Sequence, residues 1–336
     1  MVLITGGTGI LGMRMVYDLL LKGEEVRIFS REAADKAMFS KVLTFYHNEN
    51  IDSLIEKLSW AEGDIMDMNS IQEAVKDCQH VIHAAATVSF HSSEADAMYL
   101  NNKQGTAHVV DVCNETGKRL LYISSVAALG RTAEKKLIDE TSAWKDGPLN
   151  SNYAISKYNA ELEVWRGIEE GLDAVIVNPS IILGAGSITR SSGTLFGSVL
   201  QGNPFYTDGM ATAVDVRDVS SISIDLLFSQ VSAERYILHS EQISYRDMFQ
   251  CMADSLGKKG PRIKANRALL SIGWRIMWFV DKLFRTKSKL TKETASSSLN
   301  DFDYSTEKVR SIFKIEFIPV QDAITYHAGF YRSLDS

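Results

Sequence analysis

The feature that most constrains the fold stands at the start of the sequence, where a short apolar run passes directly into a glycine-rich loop, Val2–Gly12 (VLITGGTGILG). Gly6 permits a tight turn, Gly9 lets a ligand approach the backbone, and Gly12 lets the following helix pack closely on the strand. Helical periodicity follows at once, over Leu11–Lys22. Strand, loop and helix in this order are typical of a dinucleotide-binding unit, with the pyrophosphate at the amino end of the helix. The loop residues predicted to bind the cofactor are Thr5, Gly6, Thr8, Gly9, Ile10, Leu11 and Gly12.

The first half of the chain alternates short apolar runs with helical patterns, which is typical of a parallel sheet covered by helices. The predicted strands are Val2–Ile4, Glu25–Ser30, Leu58–Gly63, Val81–Ala84, Leu120–Ser124 and Ala174–Pro179. The predicted helices are Leu11–Lys22, Ser70–Cys78, Ala95–Glu115 and Tyr153–Gly171, with a further helix within Glu32–Ile55. The predicted fold class is α/β: a Rossmann doubly wound parallel sheet with a smaller mixed α/β C-terminal substrate domain.

The predicted Rossmann domain spans residues 1–178 together with strands that return to the sheet near 214–238, at Val214–Val219 and Arg235–Leu238. The substrate-binding region then comprises residues 179–213 and 239–336, where glycine turns separate short mixed elements. Within it, the apolar stretch Ala268–Phe284 is interrupted by charges and is too short to span a bilayer. A core helix or a lid over the substrate is favoured for this stretch over a face that rests on a membrane surface.

Composition argues against several classes of function. The 336 residues carry a net charge of −6, so neither nucleic acid nor anionic lipid is an expected partner. The three cysteines lie far apart without metal-ligand or redox spacing, which predicts buried thiols in a reducing compartment and no metal site. Because the glycine loop follows so soon after Met1, no signal peptide is expected, and a cytoplasmic location is predicted.

The residues after the second predicted strand bear on the choice of cofactor. Ser30 and Arg31 occupy the place where an NAD-binding chain normally has a carboxylate for the ribose hydroxyls. A hydroxyl beside a guanidinium suits the 2′-phosphate of NADP, because charge-assisted hydrogen bonds form and nothing repels the dianion. Lys36 adds a second positive charge. The sequence therefore favours NADP over NAD.

Two further segments that follow strands are predicted to contact the cofactor. Asp64 and Ile65 come after the third strand, where an acidic side chain can accept a hydrogen bond from the adenine amino group. His83 ends the fourth strand and is interpreted as a strand-end histidine, because no partner stands at a suitable spacing. Three small residues then let the backbone lie close to the cofactor: Ala84, Ala85 and Ala86.

Tyr153 and Lys157 stand four residues apart on a predicted helix and therefore share one of its faces. A tyrosine with an ordinary pKa near ~10 exchanges protons poorly at neutral pH, and a nearby ammonium lowers that pKa towards the working range. Ser124 and Ser125 end the fifth strand, at the same sheet edge as the glycine loop, where a hydroxyl can stabilise developing oxyanion charge. Phenol, ammonium and strand-end hydroxyl together predict an acid/base site.

With these motifs the chain resembles the extended short-chain dehydrogenases/reductases of the NAD-dependent epimerase/dehydratase superfamily over nearly its full length. The likeness rests on Thr5–Gly12, Asp64–Ile65, Ala84–Ala86, Asn102–Thr106, Ser124–Ser125, Tyr153 with Lys157, Asn178–Ser180 and Val214–Val219. The resemblance implies that Tyr153 is the proton donor and acceptor and that Lys157 activates it. Counted back from Gly130, the family's catalytic serine or threonine falls on Ser125 rather than on Ser124.

The same resemblance implies three further roles. Asn102 would support the active-site helix, and Pro179 and Ser180 would contact the cofactor. The long helices Ala95–Glu115 and Tyr153–Gly171 would pair with their copies in a homodimer. Within the family, the chain is most similar to dihydroflavonol-reductase-like reductases of ketones and aldehydes.

Two departures from the family pattern narrow the predicted chemistry. Nucleotide-sugar dehydratases carry an Asp-Glu pair shortly after the serine, whereas this chain has Val126–Leu129 (VAAL). Nucleotide-sugar epimerases usually have a tyrosine where Leu129 stands and a basic segment where this chain has Met210–Ala213. Arg190 and Arg217 are candidates to replace that positive charge, so an epimerase stays open as an alternative.

The predicted function is transfer of a hydride from NADPH to a small, apolar aldehyde or ketone, or the reverse oxidation, with Tyr153 as proton donor. The alternatives are a nucleotide-sugar epimerase and a non-catalytic NADP(H) redox sensor, and the intact Tyr153 and Lys157 count against the sensor. The residues predicted to line the substrate pocket are Ser89, Phe90, Phe205 and Tyr206.

Overall fold

A computed structural model describes residues 1–31, 35–47, 50–131, 137–284, 290–299 and 301–335, with the backbone alone at 282–284, 297 and 335. The strands are β1 (Val2–Thr5), β2 (Val26–Ser30), β3 (Leu58–Glu62), β4 (His80–His83), β5 (Arg119–Ile123), β6 (Leu137–Ile138), β7 (Ala174–Pro179), β8 (Ile181–Leu183), β9 (Phe205–Tyr206), β10 (Met210–Asp215), β11 (Glu234–Leu238), β12 (Glu241–Ser244), β13 (Ile263–Lys264) and β14 (Asp303–Tyr304). The helices are α1 (Ile10–Leu21), α2 (Lys36–His47), α3 (Asp52–Ile55), α4 (Met68–Val75), α5 (Ala95–Thr116), α6 (Asn152–Glu169), α7 (Gly193–Leu200), α8 (Val216–Phe228), α9 (Tyr245–Leu256), α10 (Arg267–Phe284), α11 (Lys292–Ser297), α12 (Glu307–Phe313) and α13 (Val320–Asp335).

Seven strands form the central sheet in the order β11-β7-β5-β4-β1-β2-β3, and every neighbouring pair runs parallel. The strand order reverses between β1 and β4, which is the switch point where open α/β sheets bind ligands beyond the carboxyl ends of their strands. This is the predicted Rossmann fold, and the predicted strands and helices of the first 180 residues are confirmed with end positions shifted by a few residues.

Hydrophobic clusters cover both faces of this sheet. On one face, β1, β2 and β4 pack against α1, α2 and α8, and the same cluster continues into α9 and α13 of the C-terminal half. On the other face, the strands pack against α4, α5 and α6. Because the first cluster is continuous, the C-terminal elements are held directly against the carboxyl-edge half of the sheet. The smaller sheets pair β12-β10-β8, β13-β9 and β14-β6.

Of the two segments predicted to return to the main sheet as strands, only one does so. Arg235–Leu238 is confirmed, because β11 pairs with β7 at the edge of the main sheet. Val214–Val219 is wrong as a single strand: β10 ends at Asp215, in the separate three-stranded sheet, and α8 begins at Val216. The cause is local, since the Asp215 carboxylate accepts a hydrogen bond from the backbone N–H of Arg217 and caps the new helix. Glu32–Ile55 contains α2 and α3, and its residues 32–34, 48 and 49 lie outside the described ranges.

The apolar stretch Ala268–Phe284 forms helix α10, but it is not a core helix. One side is anchored, because Leu270 and Trp274 pack with Ala265, Leu290 and other residues in a small cluster. The other side is exposed to solvent along much of its length. Among the described residues, no helix combines the length and the apolar character that crossing a bilayer requires.

Candidate active site

The glycine loop between β1 and α1 has a backbone that only glycine can adopt at its two most crowded points. Gly6 has φ +74°, and a Cβ there would lie 2.6 Å from the backbone nitrogen of Ala85. At Gly12 a Cβ would lie 2.1 Å from the Gly6 carbonyl oxygen. The loop is therefore pressed between the segment after β4 and the first turn of α1.

This loop fits a pyrophosphate. Gly9 is exposed at the amino end of α1, and no side chain of the described residues caps that end. The first N–H groups of a helix have no partner within the helix and carry its positive dipole end, so they suit an anion. The hydrogen bond from the Gly9 N–H to the Gly6 carbonyl (2.9 Å) keeps the turn closed beneath it. The described loop thus suits the cofactor that the sequence predicts.

Thr5 and His83 form a buried link beneath the loop. The Thr5 hydroxyl lies 2.6 Å from Nδ1 of His83, and it accepts a hydrogen bond from the N–H of Ala85 (3.3 Å). Nε2 of His83 lies 3.1 Å from the Thr106 hydroxyl. Burial, assisted by the positive charge of Lys157, lowers the pKa of His83 to about 3, so the imidazole is neutral. His83 therefore ties β1 and β4 to helix α5 and is held in place by hydroxyls.

The residues predicted to choose between NADP and NAD lie at the carboxyl end of β2. Ser30 ends the strand, and Arg31 follows it with an exposed side chain. Lys36 begins α2, and its ammonium lies 5.0 Å from the centre of the Trp60 ring on β3. Neither Ser30 nor Arg31 is a carboxylate, although the register of the sheet pairs Ser30 with Glu62 of β3 and Asp35 directly precedes Lys36.

Asp64 and Ile65 are placed after β3, at the same edge of the sheet. One carboxylate oxygen of Asp64 accepts a hydrogen bond from the N–H of Met66 (3.0 Å), and the side chain is exposed. Ile65 packs against Gly105 of α5, where a Cβ would lie 2.5 Å from its Cδ1. Gly105 therefore lets α5 approach this edge.

The Ser125 and Tyr153 side chains meet at the carboxyl end of β5. Ser125 lies just beyond the strand, and its hydroxyl accepts a hydrogen bond from the N–H of Ala127 (3.2 Å) in the 3-10 turn Val126–Leu129. Tyr153 stands in the first turn of α6, which Ser151 caps through the N–H of Ala154 (3.1 Å). Burial raises the pKa of Tyr153, and the neighbouring Ser125 hydroxyl opposes that rise. The two predicted catalytic hydroxyls thus lie close together, but the predicted lowering of the tyrosine pKa by Lys157 is wrong, because burial dominates.

Lys157 lies one turn beyond Tyr153 and is 2% exposed. Its ammonium donates hydrogen bonds to the Tyr122 hydroxyl (2.9 Å) and to the Ile123 carbonyl (3.0 Å). Burial lowers the pKa of Lys157 to about 8, and the negative charge of Glu161 opposes that fall. The hydrogen bonds of Lys157 therefore go to β5 rather than to the Tyr153 phenol, and Tyr122 is a partner that sequence spacing does not reveal.

Asn102 joins three segments around the site. On α5, its buried amide accepts from the N–H of Thr87 (2.7 Å) and donates to the Thr87 carbonyl (2.9 Å). The same amide donates to the Ser156 hydroxyl on α6 (3.0 Å). Asn102 thus fixes the loop after Ala84, Ala85 and Ala86 against the helix that carries Tyr153.

The buried carboxylate of Glu161, which residue spacing did not indicate, lies beneath Ser125. One oxygen of Glu161 accepts hydrogen bonds from the Ser124 hydroxyl (2.6 Å) and from the side-chain amide of Asn178 (2.7 Å). The same Asn178 amide donates to the Ser125 carbonyl (3.0 Å). Arg235 donates to the other oxygen of Glu161 (2.9 Å). Ser124 therefore points down into a structural network, which leaves Ser125 as the serine that meets Tyr153.

Pro179 ends β7, and Ser180 follows it at the carboxyl edge of the sheet. The N–H of Ser180 donates to the Leu238 carbonyl (3.0 Å). Its hydroxyl is buried and has no hydrogen-bond partner among the described residues. A buried hydroxyl left without a partner is costly, and a bound polar group at this edge satisfies it.

A cleft of about 450 Å³ opens beside Tyr153. The ring of Phe90 meets the ring of Tyr153 edge-on, with centroids 6.1 Å apart. The cleft is lined by Phe90, His91 and Ser92, by residues 148–152, by Trp274, Trp278 and Asp281 of α10, and by residues 290–293 and 296.

Of the four predicted pocket residues, the structure brings only Phe90 to this cleft. The Ser89 hydroxyl is turned away and donates to Glu94 (2.6 Å). Phe205 and Tyr206 form β9, which pairs with β13 outside the cleft lining. The placement of these two on a separate ribbon follows from backbone pairing between distant segments, which residue type alone does not signal.

The fold and the site define a dinucleotide-binding α/β protein with a serine–tyrosine–lysine centre at the switch point of the sheet. The model of the NAD dependent epimerase/dehydratase family matches residues 2–222, and the chain belongs to that family.

Curated relatives with this architecture are similar over most of the chain. The chain is 28% identical over 288 residues to a putative dihydroflavonol 4-reductase of Synechocystis, covering 83% of this chain and 78% of the relative. It is 26% identical over 266 residues to sterol demethylase protein B of Methylococcus capsulatus, covering 78% and 76%. It is 27% identical over 261 residues to cinnamoyl-CoA reductase 1 of Petunia hybrida, covering 73% and 74%.

Solved structures agree on the fold. The crystal structure of gox2253 superposes with a TM-score of 0.79 at 27% identity, covering 99% of this chain and 98% of that one. The Bordetella bronchiseptica enzyme WbmH, solved in complex with NAD⁺, superposes with a TM-score of 0.76 at 18% identity, covering 100% and 99%.

Proposed function

We propose that this protein is an NADP(H)-dependent reductase of a small, apolar aldehyde or ketone, or catalyses the reverse oxidation. The observation that carries the proposal is the placement of Ser125 beyond β5 and of Tyr153 in the first turn of α6, close together at the sheet edge that bears the glycine loop. Lys157 is buried one helical turn away. Two hydroxyls and an ammonium at a dinucleotide-binding edge suit proton transfer to a carbonyl oxygen.

Each side chain of the site has a separate role in this proposed reaction. A bound nicotinamide cofactor supplies or accepts the hydride. Tyr153 donates the proton to the carbonyl oxygen, and Ser125 donates a hydrogen bond to the same oxygen as negative charge develops on it. Lys157, one helical turn beyond Tyr153, supplies a positive charge that favours the phenolate left on Tyr153 after proton transfer. Asn102 holds the tyrosine-bearing helix against the loop after β4.

The surroundings of Ser125 favour reduction over dehydration. The turn that follows it, Val126–Leu129, is entirely apolar and buried, so it supplies no acid or base for loss of water. Two of the three relatives described above are named as reductases. For the cofactor, Arg31 stands at the end of β2 where a carboxylate would repel a 2′-phosphate, which supports NADP.

The lining of the cleft supports an apolar substrate. Phe90, Trp274 and Trp278 contribute aromatic surface to the cleft, and the Phe90 ring lies edge-on to the ring of Tyr153. Polar side chains complete the lining, and a few polar groups beside apolar walls can orient a small molecule.

The test is turnover of the Tyr153→Phe variant with NADPH and a panel of aromatic and aliphatic carbonyls. Loss of the acid is expected to lower kcat by about 10²–10⁴-fold, with NADPH binding retained. Tyr158→Phe is the matched control, because Tyr158 lies on the same helix but stacks on Trp144 (4.3 Å between centroids). Unchanged turnover in Tyr153→Phe would favour a sensor. Cofactor that survives purification and undergoes no net oxidation with substrate would favour an epimerase.

The cofactor preference is tested with Arg31→Asp. This change places a carboxylate at the end of β2, so the ratio of kcat/KM with NADPH to that with NADH is expected to fall by at least about tenfold. Arg310→Asp on α12 is the control, since it makes the same change of charge on a helix that does not meet the cofactor edge. An unaltered ratio in Arg31→Asp would remove the argument for NADP.

A further inference from the structure

Helix α10 presents a continuous apolar stripe to solvent. Leu269, Ile272, Ile276 and Phe279 follow one another at spacings of three and four residues and therefore lie on one face. Ile272, Ile276 and Phe279 are 59%, 56% and 61% exposed. A contiguous exposed apolar surface of this kind marks an interaction site.

The stripe is held in a fixed orientation. The opposite side of α10 packs through Leu270 and Trp274 onto Ala265, Ala295 and their neighbours, so the helix is anchored to the fold. Next to it, Ile263 of β13 and Phe205 of β9 pair with each other and are both exposed. Exposed apolar side chains thus also occur on the two-stranded ribbon whose second strand precedes α10 in the chain.

The sequence around α10 is strongly basic. Residues 258–292 contain eleven lysines and arginines and one acidic residue, Asp281, so this segment carries a net charge of +10. The other 301 residues then carry −16. The overall charge of −6, which argued against an anionic lipid partner, conceals this separation. Among the described residues, Lys259, Arg262, Arg267 and Arg275 are exposed in the segment.

We propose that α10 docks this protein on the surface of an anionic lipid bilayer. The stripe enters the boundary between headgroups and acyl chains, and the surrounding cations contact the headgroups. At roughly 27 Å for its 18 residues, the helix lies along the surface.

The positive charge around α10 favours an anionic bilayer, rather than a second copy of the chain, as the partner of the stripe. Two copies joined through this face would bring the exposed Arg267 and Arg275 of one α10 close to those of the other, and their repulsion opposes such a dimer. Burying α10 in the interior of a larger assembly would likewise remove these cations from water, which is costly. An anionic bilayer meets both the apolar stripe and its charged surroundings.

Docking through the stripe places the substrate cleft behind α10, one helix away from the membrane; the use of this cleft rests on the proposed function, whereas the docking itself does not. Trp274 and Trp278 line the cleft beside Tyr153 from the inner side of α10. A lipophilic carbonyl dissolved in the bilayer then reaches the cleft along the helix without crossing water.

The experiment is flotation of the full-length chain with phosphatidylcholine vesicles, with and without phosphatidylglycerol. Binding to the anionic vesicles is expected to be at least about tenfold stronger and to weaken at high salt, which screens exposed charges. Equal binding to both vesicle types, or no binding to either, would overturn the proposal. Neither readout depends on catalysis, so a failed reductase assay leaves the docking test intact.

Two double variants test whether vesicle binding depends on the stripe or on exposed apolar residues in general. Ile272→Gln/Ile276→Gln is expected to reduce vesicle binding by at least about tenfold, whereas the matched control Leu21→Gln/Ile312→Gln is expected to bind as the wild type does. Leu21 and Ile312 are also exposed apolar residues, but they lie on α1 and α12. Thermal unfolding checks that each variant is folded. Wild-type binding by the stripe variant, or conversion of a wild-type dimer to a monomer by that variant, would overturn the proposal.

Discussion

At the scale of single residues, Glu161 links separate parts of the proposed catalytic centre. It lies on α6 one turn beyond Lys157, is buried, and receives hydrogen bonds from Ser124, Asn178 and Arg235. Through Asn178 it fixes the backbone of Ser125, and its charge raises the pKa of Lys157 against the effect of burial. We infer that Glu161 is a positioning residue with two separable effects.

The variant Glu161→Gln tests both effects. Because burial alone then acts on Lys157, its pKa is expected to fall below about 8, so the fall of kcat/KM at alkaline pH moves to lower pH. The shift is towards lower pH because the ammonium form of Lys157 assists the reaction and is lost as pH rises through the pKa of that group. Loosening of Ser125 is expected to lower kcat by at least about tenfold.

The control for this variant is Glu163→Gln on the same helix. Glu163 pairs with Arg166 on the outer side of α6, so its loss is expected to leave the pH profile unchanged. A uniform loss of activity in Glu161→Gln with an unshifted alkaline limb would contradict the electrostatic role.

Residue identity and spacing predicted much of this centre, but not its hydrogen bonds. The spacing of Tyr153 and Lys157 placed them on one helix face, where the structure has them. Spacing does not fix a rotamer, and the long Lys157 side chain turns to Tyr122 and Ile123 on β5. Glu161 was missed because a glutamate on a helix gives no signal of burial until its partners arrive from β5, β7 and β11.

At the scale of secondary-structure elements, the junction of β1 and α1 depends on Gly12. The variant Gly12→Ala puts a methyl group against the Gly6 carbonyl, so the loop must move from the position that suits a pyrophosphate. Overpacking of this kind costs about 2 kcal/mol. We expect a lower melting temperature and at least about tenfold weaker NADPH binding, measured by calorimetry.

Gly147→Ala is the matched control, because a Cβ at Gly147 meets no atom within 4 Å. Its stability and NADPH affinity are expected to match the wild type. Wild-type NADPH affinity in Gly12→Ala would show that the loop does not hold the cofactor as proposed.

The first half of the fold was predictable because each strand there is apolar and bounded by turn residues or helical periodicity. The sequence-based predictions are wrong where one local pattern is compatible with two different structures. The apolar run at Val214–Val219 continues across a helix start, and the capping by Asp215 decides the change of element. The apolar residues of α10 predicted burial, but the packing of Leu270 and Trp274 uses only one side of the helix. Periodicity reports which residues share a face, and not whether that face is covered.

At the scale of the whole molecule, α5 and α6 cover one face of the sheet, and their outer surface is the expected dimer interface. They lie side by side, joined by the Arg166–Asp111 ion pair (2.7 Å). With 22 and 18 residues they are about 33 Å and 27 Å long, which is enough to form a four-helix interface with a second copy. Leu100 of α5 and Leu162 of α6 are exposed on this pair in the single chain.

The variant Leu100→Glu/Leu162→Glu is expected to be a monomer in sedimentation equilibrium at concentrations where the wild type is a dimer. In a two-fold interface each substitution occurs twice, so four buried carboxylates would oppose association. Leu21→Glu on α1 is the control, since it adds an exposed charge away from α5 and α6 and is expected to remain a dimer. A monomeric wild type, or a variant that still dimerises, would place the interface elsewhere or remove it. Because α10 is separate from this pair, a dimer built on α5 and α6 leaves the apolar stripe of each copy uncovered. If both stripes meet one bilayer, the monomeric variant is expected to bind anionic vesicles more weakly than the dimer through loss of avidity.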